Sequence, residues 1–122
     1  MSTAVFHHIR TSMIEDVVLI EILSKGLIGP EVAEELEIEL LSVASQEWAK
    51  RLLIDLQRTE YLSSTGFAVL VKLVKQAKAN GQEINFCGMR PEVRIGADIV
   101  GMGSFVSIHD TEKQALDSFS RD

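Results

Sequence analysis

The sequence has few of the residues that would mark a specialised class of protein. Of its 122 residues, one is cysteine, two are proline, one is tryptophan and one is tyrosine. The single cysteine, Cys87, excludes an intramolecular disulfide and a metal site built from a cysteine cluster, and it is typical of a reducing compartment. With 46% hydrophobic residues and only two prolines and eight glycines, the composition argues against a disordered chain. An ordinary folded protein is expected.

Positive charge is also scarce. Twelve Lys and Arg residues stand against eighteen Asp and Glu residues, which gives a formal net charge of −6. Such a chain would be repelled by a phosphate backbone, and its basic residues are scattered rather than gathered into one stripe. Nucleic acid is therefore not an expected partner.

The sequence contains no long hydrophobic run. Met1–Arg10 lacks a basic start followed by an apolar stretch and a small-residue cleavage site, so no secretory signal peptide is predicted there. Ile99–His109, the longest weakly charged segment, is far shorter than the roughly 20 residues that span a bilayer, and glycine interrupts it. We therefore expect a cytoplasmic protein that does not insert into a membrane.

The order of the apolar segments predicts an α/β fold. Short apolar runs alternate with longer segments of helical period, which is typical of a sheet with crossover helices. The length fits a single domain, residues 1–122, with a mixed sheet of about five strands and about four helices. The first two strands form a hairpin whose turn is predicted at Ser12–Asp16. The predicted strands are Val5–Arg10, Val17–Leu23, Arg51–Leu56, Glu83–Cys87 and Phe105–His109.

The predicted helices give the order β-β-α-β-α-β-α-β-α. Local signals mark their ends: proline at a first helical position, an Asn-Gly pair typical of a left-handed cap, and a Thr-x-x-Gln capping box. The helices begin at Gly29-Pro30, at about Thr65, at Pro91 and after Thr111, and the second ends at Asn80-Gly81. The residues predicted to face the core are Val32, Leu36, Leu40 and Val43 in the first helix, Phe67, Leu70, Val71, Val74 and Ala77 in the second, and Ala115, Leu116 and Phe119 in the fourth.

The histidines and carboxylates form no recognisable catalytic pattern. His7 and His8 are adjacent on a predicted strand, so their side chains would point to opposite faces and could not ligate one metal ion together. Neither they nor His109 have the context of a base beside a serine or cysteine nucleophile. The phosphate-binding and nucleophile-elbow motifs GxxxxGK(S/T), GxGxxG and GxSxG are absent from the sequence. We therefore expect no enzyme activity, no metal site and no cofactor.

One connection between a strand and a helix carries more information than the others. It reads Asp55-Leu-Gln-Arg-Thr-Glu-Tyr-Leu-Ser63-Ser64-Thr65-Gly66-Phe67. Three consecutive hydroxyl residues lie where the second helix should begin, and a serine oxygen there can accept a hydrogen bond from an unpaired first-turn N–H group. A plain helix cap would therefore explain the serines without any further function.

The same stretch resembles the STAS domains of bacterial anti-sigma-factor antagonists. The shared features are an apolar strand that ends in Asp, a loop of about seven residues, and a Ser-Ser/Thr-Gly sequence that leads into an apolar helix. By this resemblance Asp55 corresponds to the first Asp of the family pattern, Ser64 to the phosphoacceptor serine and Gly66 to the glycine after it. The resemblance extends over nearly the whole chain through Gly26-x-x-Gly29, Gly88-Met-Arg-Pro91 and Thr111-x-x-x-Ala115-Leu116.

This resemblance implies a regulatory protein rather than an enzyme. The unphosphorylated form would bind an anti-sigma factor that is also its serine kinase and that holds the ATP, and a serine phosphatase would be a further partner. The mechanism requires an exposed Ser64 hydroxyl at the start of the helix, with Ser63 and Thr65 as less favoured phosphorylation sites. A monomer or weak dimer is expected. The residues implied in partner binding are Ser63, Ser64, Thr65, Gly66, Val69 and Leu73, of which the spacing favours a core position for Val69 and Leu73.

Two positions depart from the family pattern. Ser63 stands where the family usually has an acidic residue, and Gln57 stands where a serine or another small residue is common. Ser63 can cap the helix but supplies no negative charge beside the phosphoacceptor. An alternative is therefore a non-phosphorylated STAS subunit of a transporter or signalling scaffold, in which Ser64 acts only as a cap. A small-ligand or nucleotide sensor is a further alternative, which the missing phosphate loop disfavours.

Overall fold

A mixed five-stranded sheet lies at the centre of the protein, as the alternating segments predict. The computed structural model describes residues 6–27 and 29–119. The first strand pairs antiparallel with the second, and the remaining neighbours are parallel. Two further short strands, β3 (Gly26–Leu27) and β5 (Tyr61–Leu62), form a separate parallel pair. In spatial order, the strands of the main sheet are β1 (Ile9–Ile14), β2 (Val17–Ile22), β4 (Arg51–Asp55), β6 (Glu83–Cys87) and β7 (Ser107–His109).

The predicted number and order of helices are confirmed. Pro30 occupies the first position of the first helix, and Gly81 ends the second with a φ of 74°. Thr111 Oγ1 accepts from Gln114 N at 3.1 Å, but the Gln114 side chain accepts from Asp110 N, so half of the predicted capping box forms. Across the two described ranges, no helix combines the length and apolar character needed to cross a membrane. The helices are α1 (Pro30–Ala44), α2 (Ser64–Ala79), α3 (Pro91–Ile99) and α4 (Glu112–Asp117).

The main sheet separates two hydrophobic layers. Side chains alternate between its faces, and because both faces are covered, the central strands are apolar almost throughout. The larger layer lies between the sheet and helices α1, α2 and α3, and the smaller one lies under α4. The sheet residues of the larger layer include Ile20, Leu52, Ile54 and Phe86, and those of the smaller layer are Val17, Leu19, Leu53 and Cys87.

The edge strands differ from their predicted bounds. The prediction of a first strand at Val5–Arg10 and a turn at Ser12–Asp16 was wrong, because β1 continues to Ile14 and only Glu15 and Asp16 lie between the paired residues Ile14 and Val17. The error arose because exposed positions of an edge strand are polar and resemble a turn. Val5 lies outside the described residues.

The last strand begins two residues later than predicted. Phe105 and Val106 donate their backbone N–H groups to the carbonyl oxygen of Met102, both at 3.1 Å. These bonds belong to a 3-10 turn at Met102–Ser104, which lies in the connection between α3 and β7. The predicted strand Phe105–His109 is therefore shortened to Ser107–His109, because its first two residues are already used in the turn.

His7 and His8 precede the first strand instead of lying within it. Both backbone N–H groups donate to the carboxylate of Glu39, at 2.9 and 2.8 Å, and His8 Nε2 lies 2.9 Å from Glu35 Oε1. These contacts join the chain before β1 to the outer side of α1. No group of three or more His, Cys, Asp or Glu side chains that could hold a metal ion occurs among residues 6–27 and 29–119.

Candidate protein-binding site

The connection between β4 and α2 is anchored to the segment that follows β2. Thr59 is fully buried, and its Oγ1 donates to the carbonyl oxygen of Ser24 at 3.0 Å. The backbone N–H groups of Glu60 and Tyr61 donate to the carbonyl oxygen of Lys25, at 2.6 and 3.1 Å. Strand β5 then pairs with β3 directly before the helix. Together these bonds fix the direction in which the chain enters α2.

Thr59→Val is expected to lower the free energy of unfolding by about 1–2 kcal/mol, because valine keeps the shape of threonine but removes the buried donor to Ser24. Urea unfolding followed by circular dichroism would measure the loss. Thr65→Val is the matched control: Thr65 is exposed, so its substitution should change the stability by no more than about 0.5 kcal/mol. Similar losses for the two variants would contradict the anchoring role of Thr59.

The three consecutive hydroxyl residues divide into one cap and two exposed side chains. Ser63 has extended backbone angles, and its Oγ accepts from the backbone N–H of Gly66 at 3.2 Å. Ser64 and Thr65 are the first two residues of α2, and both are exposed. The predicted position of Ser64, exposed at the amino end of a helix, is confirmed. Because Ser63 is the capping residue, the Ser64 side chain is not needed for that purpose.

Val69 and Leu73 are core residues. Their exposed fractions are 6% and 1%, and both belong to the larger hydrophobic layer. The core position that the helical spacing favours for both residues is confirmed, and their inclusion among the partner-binding residues was wrong, because α2 packs a wide apolar face against both the sheet and α1. Gly66 is also buried, and it contributes the backbone N–H that Ser63 caps.

An open apolar groove lies between α2 and the end of α3, directly beside Ser64. Two further apolar side chains of α3 are exposed, Ile95 at 60% and Ile99 at 80%. The two helices approach closely, since a Cβ at Gly96 would lie 2.6 Å from the ring of Phe67. Clustered exposed apolar side chains of this kind mark protein-binding surfaces. This α2–α3 groove has a volume of about 390 Å³ and is lined by Ser64, Phe67, Ala68, Val71, Lys72, Lys75 and Val100.

A second concave surface, the carboxyl-end cleft, lies where β4 and β6 end. Its volume is about 970 Å³, and its lining includes Asp55, Gly88 and the first turn of α4. Asp55 is 6% exposed, and its Oδ1 accepts from Gln57 N at 2.8 Å. Gly88 has a φ of 74°, and a Cβ there would lie 2.8 Å from the same oxygen. Both the backbone conformation and the available space therefore require glycine at this position.

A carboxyl pair borders this cleft. Glu112, the first residue of α4, lines it with Asp55. Hydrogen bonding with Asp55, partial burial and the charges of Asp55 and Glu21 raise the pKa of Glu112 to about 7. Burial, with the charges of Asp55 and Glu112, raises the pKa of the Cys87 thiol to about 12. Cys87 is therefore protonated at neutral pH and is not a nucleophile in the folded protein.

The strand end at Asp55 was predictable from the sequence, whereas Thr59 and Glu112 were not recognised as part of the site. Thr59 lies between two charged residues and has no periodic neighbours, so no local signal predicts its burial. Glu112 has the local pattern of an ordinary first-turn acid, which the helix dipole alone would explain. Both contacts join residues that are far apart in the chain, and only the arrangement of the strands brings them together.

Comparison with known proteins identifies the family. The profile described as the STAS domain matches residues 9–115. This chain belongs to the STAS domain family. The match begins in β1 and reaches α4, so it includes the three hydroxyl residues and the α2–α3 groove.

A curated relative of this STAS domain is BtrV of Bordetella bronchiseptica, which is named as a candidate anti-sigma factor antagonist. The two are 31% identical over 95 residues, which cover 78% of this chain and 81% of BtrV. This level of identity agrees with the family assignment, and the resemblance of the serine-containing connection to STAS domains is confirmed at the level of the family.

Solved structures share the fold of this STAS domain. A candidate anti-sigma factor antagonist from Thermotoga maritima superposes with a TM-score of 0.81 at 17% identity, covering 94% of this chain and 97% of that one. The unphosphorylated form of the anti-sigma factor antagonist SpoIIAA gives a TM-score of 0.72 at 17% identity, with coverages of 89% and 93%. The phosphorylated form of the Bacillus cell fate determinant SpoIIAA gives 0.67 at 16% identity, with coverages of 89% and 96%.

Proposed function

We propose that this STAS domain is an anti-sigma-factor antagonist that binds its partner through the start of α2 and the α2–α3 groove, and that phosphorylation of Ser64 weakens this binding. The observation that carries the proposal is the exposed Ser64 side chain at the first position of α2, on the rim of an apolar groove. The name of the relative BtrV supports the function. The existence of SpoIIAA structures with and without phosphate supports the mode of regulation.

The fold should tolerate a phosphate on Ser64. The free N–H groups and the dipole at the amino end of a helix favour an anion there by about 0.3–1 kcal/mol. The first turn of α2 contains no acidic residue, and Ser63 stands where the family usually has one. Because no carboxylate is present in that turn, the phosphate would meet less repulsion than in relatives with the usual acidic residue. Phosphorylation should therefore alter the surface without unfolding the helix.

The same phosphate would interfere with docking. It adds roughly −1.5 to −2 charges and a strongly hydrated group at the rim of the groove. A partner that covers Phe67, Val71 and Val100 would have to remove water from that group. Binding should therefore favour the unphosphorylated form.

The partner would also be the kinase that phosphorylates Ser64. We propose that the anti-sigma factor is a serine kinase which holds the ATP and transfers its terminal phosphoryl group to the Ser64 hydroxyl, and that a serine phosphatase removes it. This assignment needs no catalytic residue in the STAS domain. It places the cycle in the cytoplasm, where ATP is available.

Incubation with a candidate anti-sigma kinase and with ATP, followed by mass spectrometry, tests the proposal. We expect one phosphate on Ser64 and none on the Ser64→Ala variant, in which the cap residue Ser63 and the exposed Thr65 are both retained. Phosphate on Thr65 or Ser63 of the protein without substitutions would mean that a different hydroxyl of the same turn is the phosphorylation site. Stable binding to the kinase without any phosphate transfer would favour the scaffold alternative, in which Ser64 has no regulatory role.

A further inference from the structure

The α2–α3 groove is basic although the protein as a whole is acidic. Among the described residues that line it, two are lysines, Lys72 and Lys75, and none is acidic. The chain has a formal net charge of −6. We infer that the groove binds an amphipathic helix of the anti-sigma factor, whose apolar side chains enter the groove and whose carboxylates pair with the two lysines. This inference rests on the proposed function, since it describes the partner of the same site.

The part of α2 that lines the groove is one face of the helix. Its residues recur at intervals of three or four, which brings side chains to the same side of a helix. Apolar side chains occupy the middle of this face, a serine its amino end and the lysines its other end. At the rise of an α-helix, the face extends for about 16 Å, or about three turns of a second helix. Its residues are Ser64, Phe67, Ala68, Val71, Lys72 and Lys75.

The walls of the groove favour a helix as the bound element. Both walls belong to helices, whose backbone groups are paired within the helix, so they offer no strand edge to which an extended peptide could add. Side chains must therefore provide the recognition, as when the apolar face of a helix lies in a groove. Phe67 is 5% exposed and forms part of the floor, whereas Val100, which ends α3, is 44% exposed and can contact a partner directly.

The lysines give the groove its preference for an acidic partner. Lys72 Nζ lies 3.0 Å from Glu37 Oε2, and a surface pair of this kind is weak, so a partner carboxylate can replace Glu37. Lys75 is exposed and forms no ion pair with any residue in 6–27 or 29–119. The negative charge of the rest of the protein would repel an acidic helix from other surfaces, so the lysines also determine where it binds.

Two synthetic peptides test this preference. Both are helical, with about 18 residues and the same leucine stripe, and they carry either glutamate or lysine beside that stripe. By fluorescence anisotropy at low salt, the glutamate peptide should bind at least about fivefold more tightly than the lysine peptide. Nonspecific attraction to a protein of net charge −6 would give the opposite order. Equal affinities, tighter binding of the lysine peptide, or no binding of either peptide would overturn the inference.

Lys75→Gln, with Lys78→Gln as its matched control, tests whether the preference belongs to the groove. Both lysines are exposed on α2, but Lys78 does not line the groove, so the two variants lose the same charge at different places. Lys75→Gln should reduce the preference to about twofold or less, and Lys78→Gln should leave it unchanged. Circular dichroism should show that both variants are folded. An equal effect of the two substitutions would indicate the general charge of α2 and would overturn the groove assignment.

The peptide measurement can fail separately from the test of Ser64. The peptides contain no kinase, so their binding does not depend on phosphate transfer. Phosphorylation of Ser64 by the kinase without any preference for the glutamate peptide would retain the proposed function and overturn this inference alone. A preference for the glutamate peptide, together with equal affinities of Ser64→Asp and the protein without substitutions for the anti-sigma factor, would support the groove chemistry and contradict the switch.

Discussion

Replacing Ser64 with aspartate is expected to lower the affinity for the anti-sigma factor by at least about tenfold, which corresponds to about 1.4 kcal/mol. The carboxylate would stand at the rim of the α2–α3 groove, where a docked partner must remove its water of hydration. The melting temperature and the circular dichroism spectrum should stay close to those of the unmodified protein, because Ser64 is exposed and the amino end of α2 favours a negative charge. Titration calorimetry with the purified partner would measure the affinity.

Ser12→Asp is the matched control for this substitution. Ser12 is an exposed serine on β1, at the far edge of the main sheet, so the variant carries the same added charge away from the groove. Its affinity should equal that of the unmodified protein, and Ser64→Ala should also bind well. Equal affinities of Ser64→Asp and the unmodified protein would remove Ser64 from the mechanism, whereas equal losses at Ser64 and Ser12 would indicate an effect of net charge alone.

Gly88→Ala is expected to lower the free energy of unfolding by about 3 kcal/mol, as the sum of two effects. A non-glycine residue in the left-handed region costs about 1–2 kcal/mol, and crowding in a packed site adds about 1–3 kcal/mol. The new methyl group would lie 2.8 Å from Asp55 Oδ1 and 3.3 Å from Gln57, so Asp55 would have to move. Urea unfolding followed by circular dichroism would measure the loss.

Gly81→Ala separates the two effects. Gly81 has the same φ of 74° as Gly88, but a Cβ at Gly81 would have no atom within 4 Å apart from its chain neighbours. Its substitution should therefore cost only the conformational part, about 1 kcal/mol. If the two variants lost the same amount, the close approach of Gly88 to Asp55 would have no energetic importance.

The strands and helices that could be predicted from the sequence are those whose own residues form a clear pattern, such as a continuous apolar run or a proline at a helix start. Val17–Ile22 and Arg51–Asp55 are central strands covered on both faces, so they are almost continuously apolar and their positions were found within one residue. Pro30 marked the start of α1 correctly because its ring favours the first turn. The edge strand β1 was displaced, since its exposed residues follow no apolar alternation.

The site was predictable only in part, for a related physical reason. Ser63 and Ser64 were recognised because capping is local chemistry that leaves a clear pattern. Whether Val69 faces the partner or the core depends on how widely α1 and the sheet cover α2, which a single helix pattern does not determine. Thr59 bonds to Ser24 in the segment after β2, 35 residues earlier in the chain, and no local sequence pattern predicts such a contact.

The anchoring of the connection before α2 has a kinetic consequence. With Thr59 bonded to Ser24 and β5 paired with β3, the segment that presents Ser64 is already ordered in the free protein. A partner then meets a preformed surface and no segment has to fold during the encounter, so complex formation should be limited by diffusion and orientation. The unphosphorylated and phosphorylated forms should accordingly differ chiefly in how long each complex lasts before it dissociates.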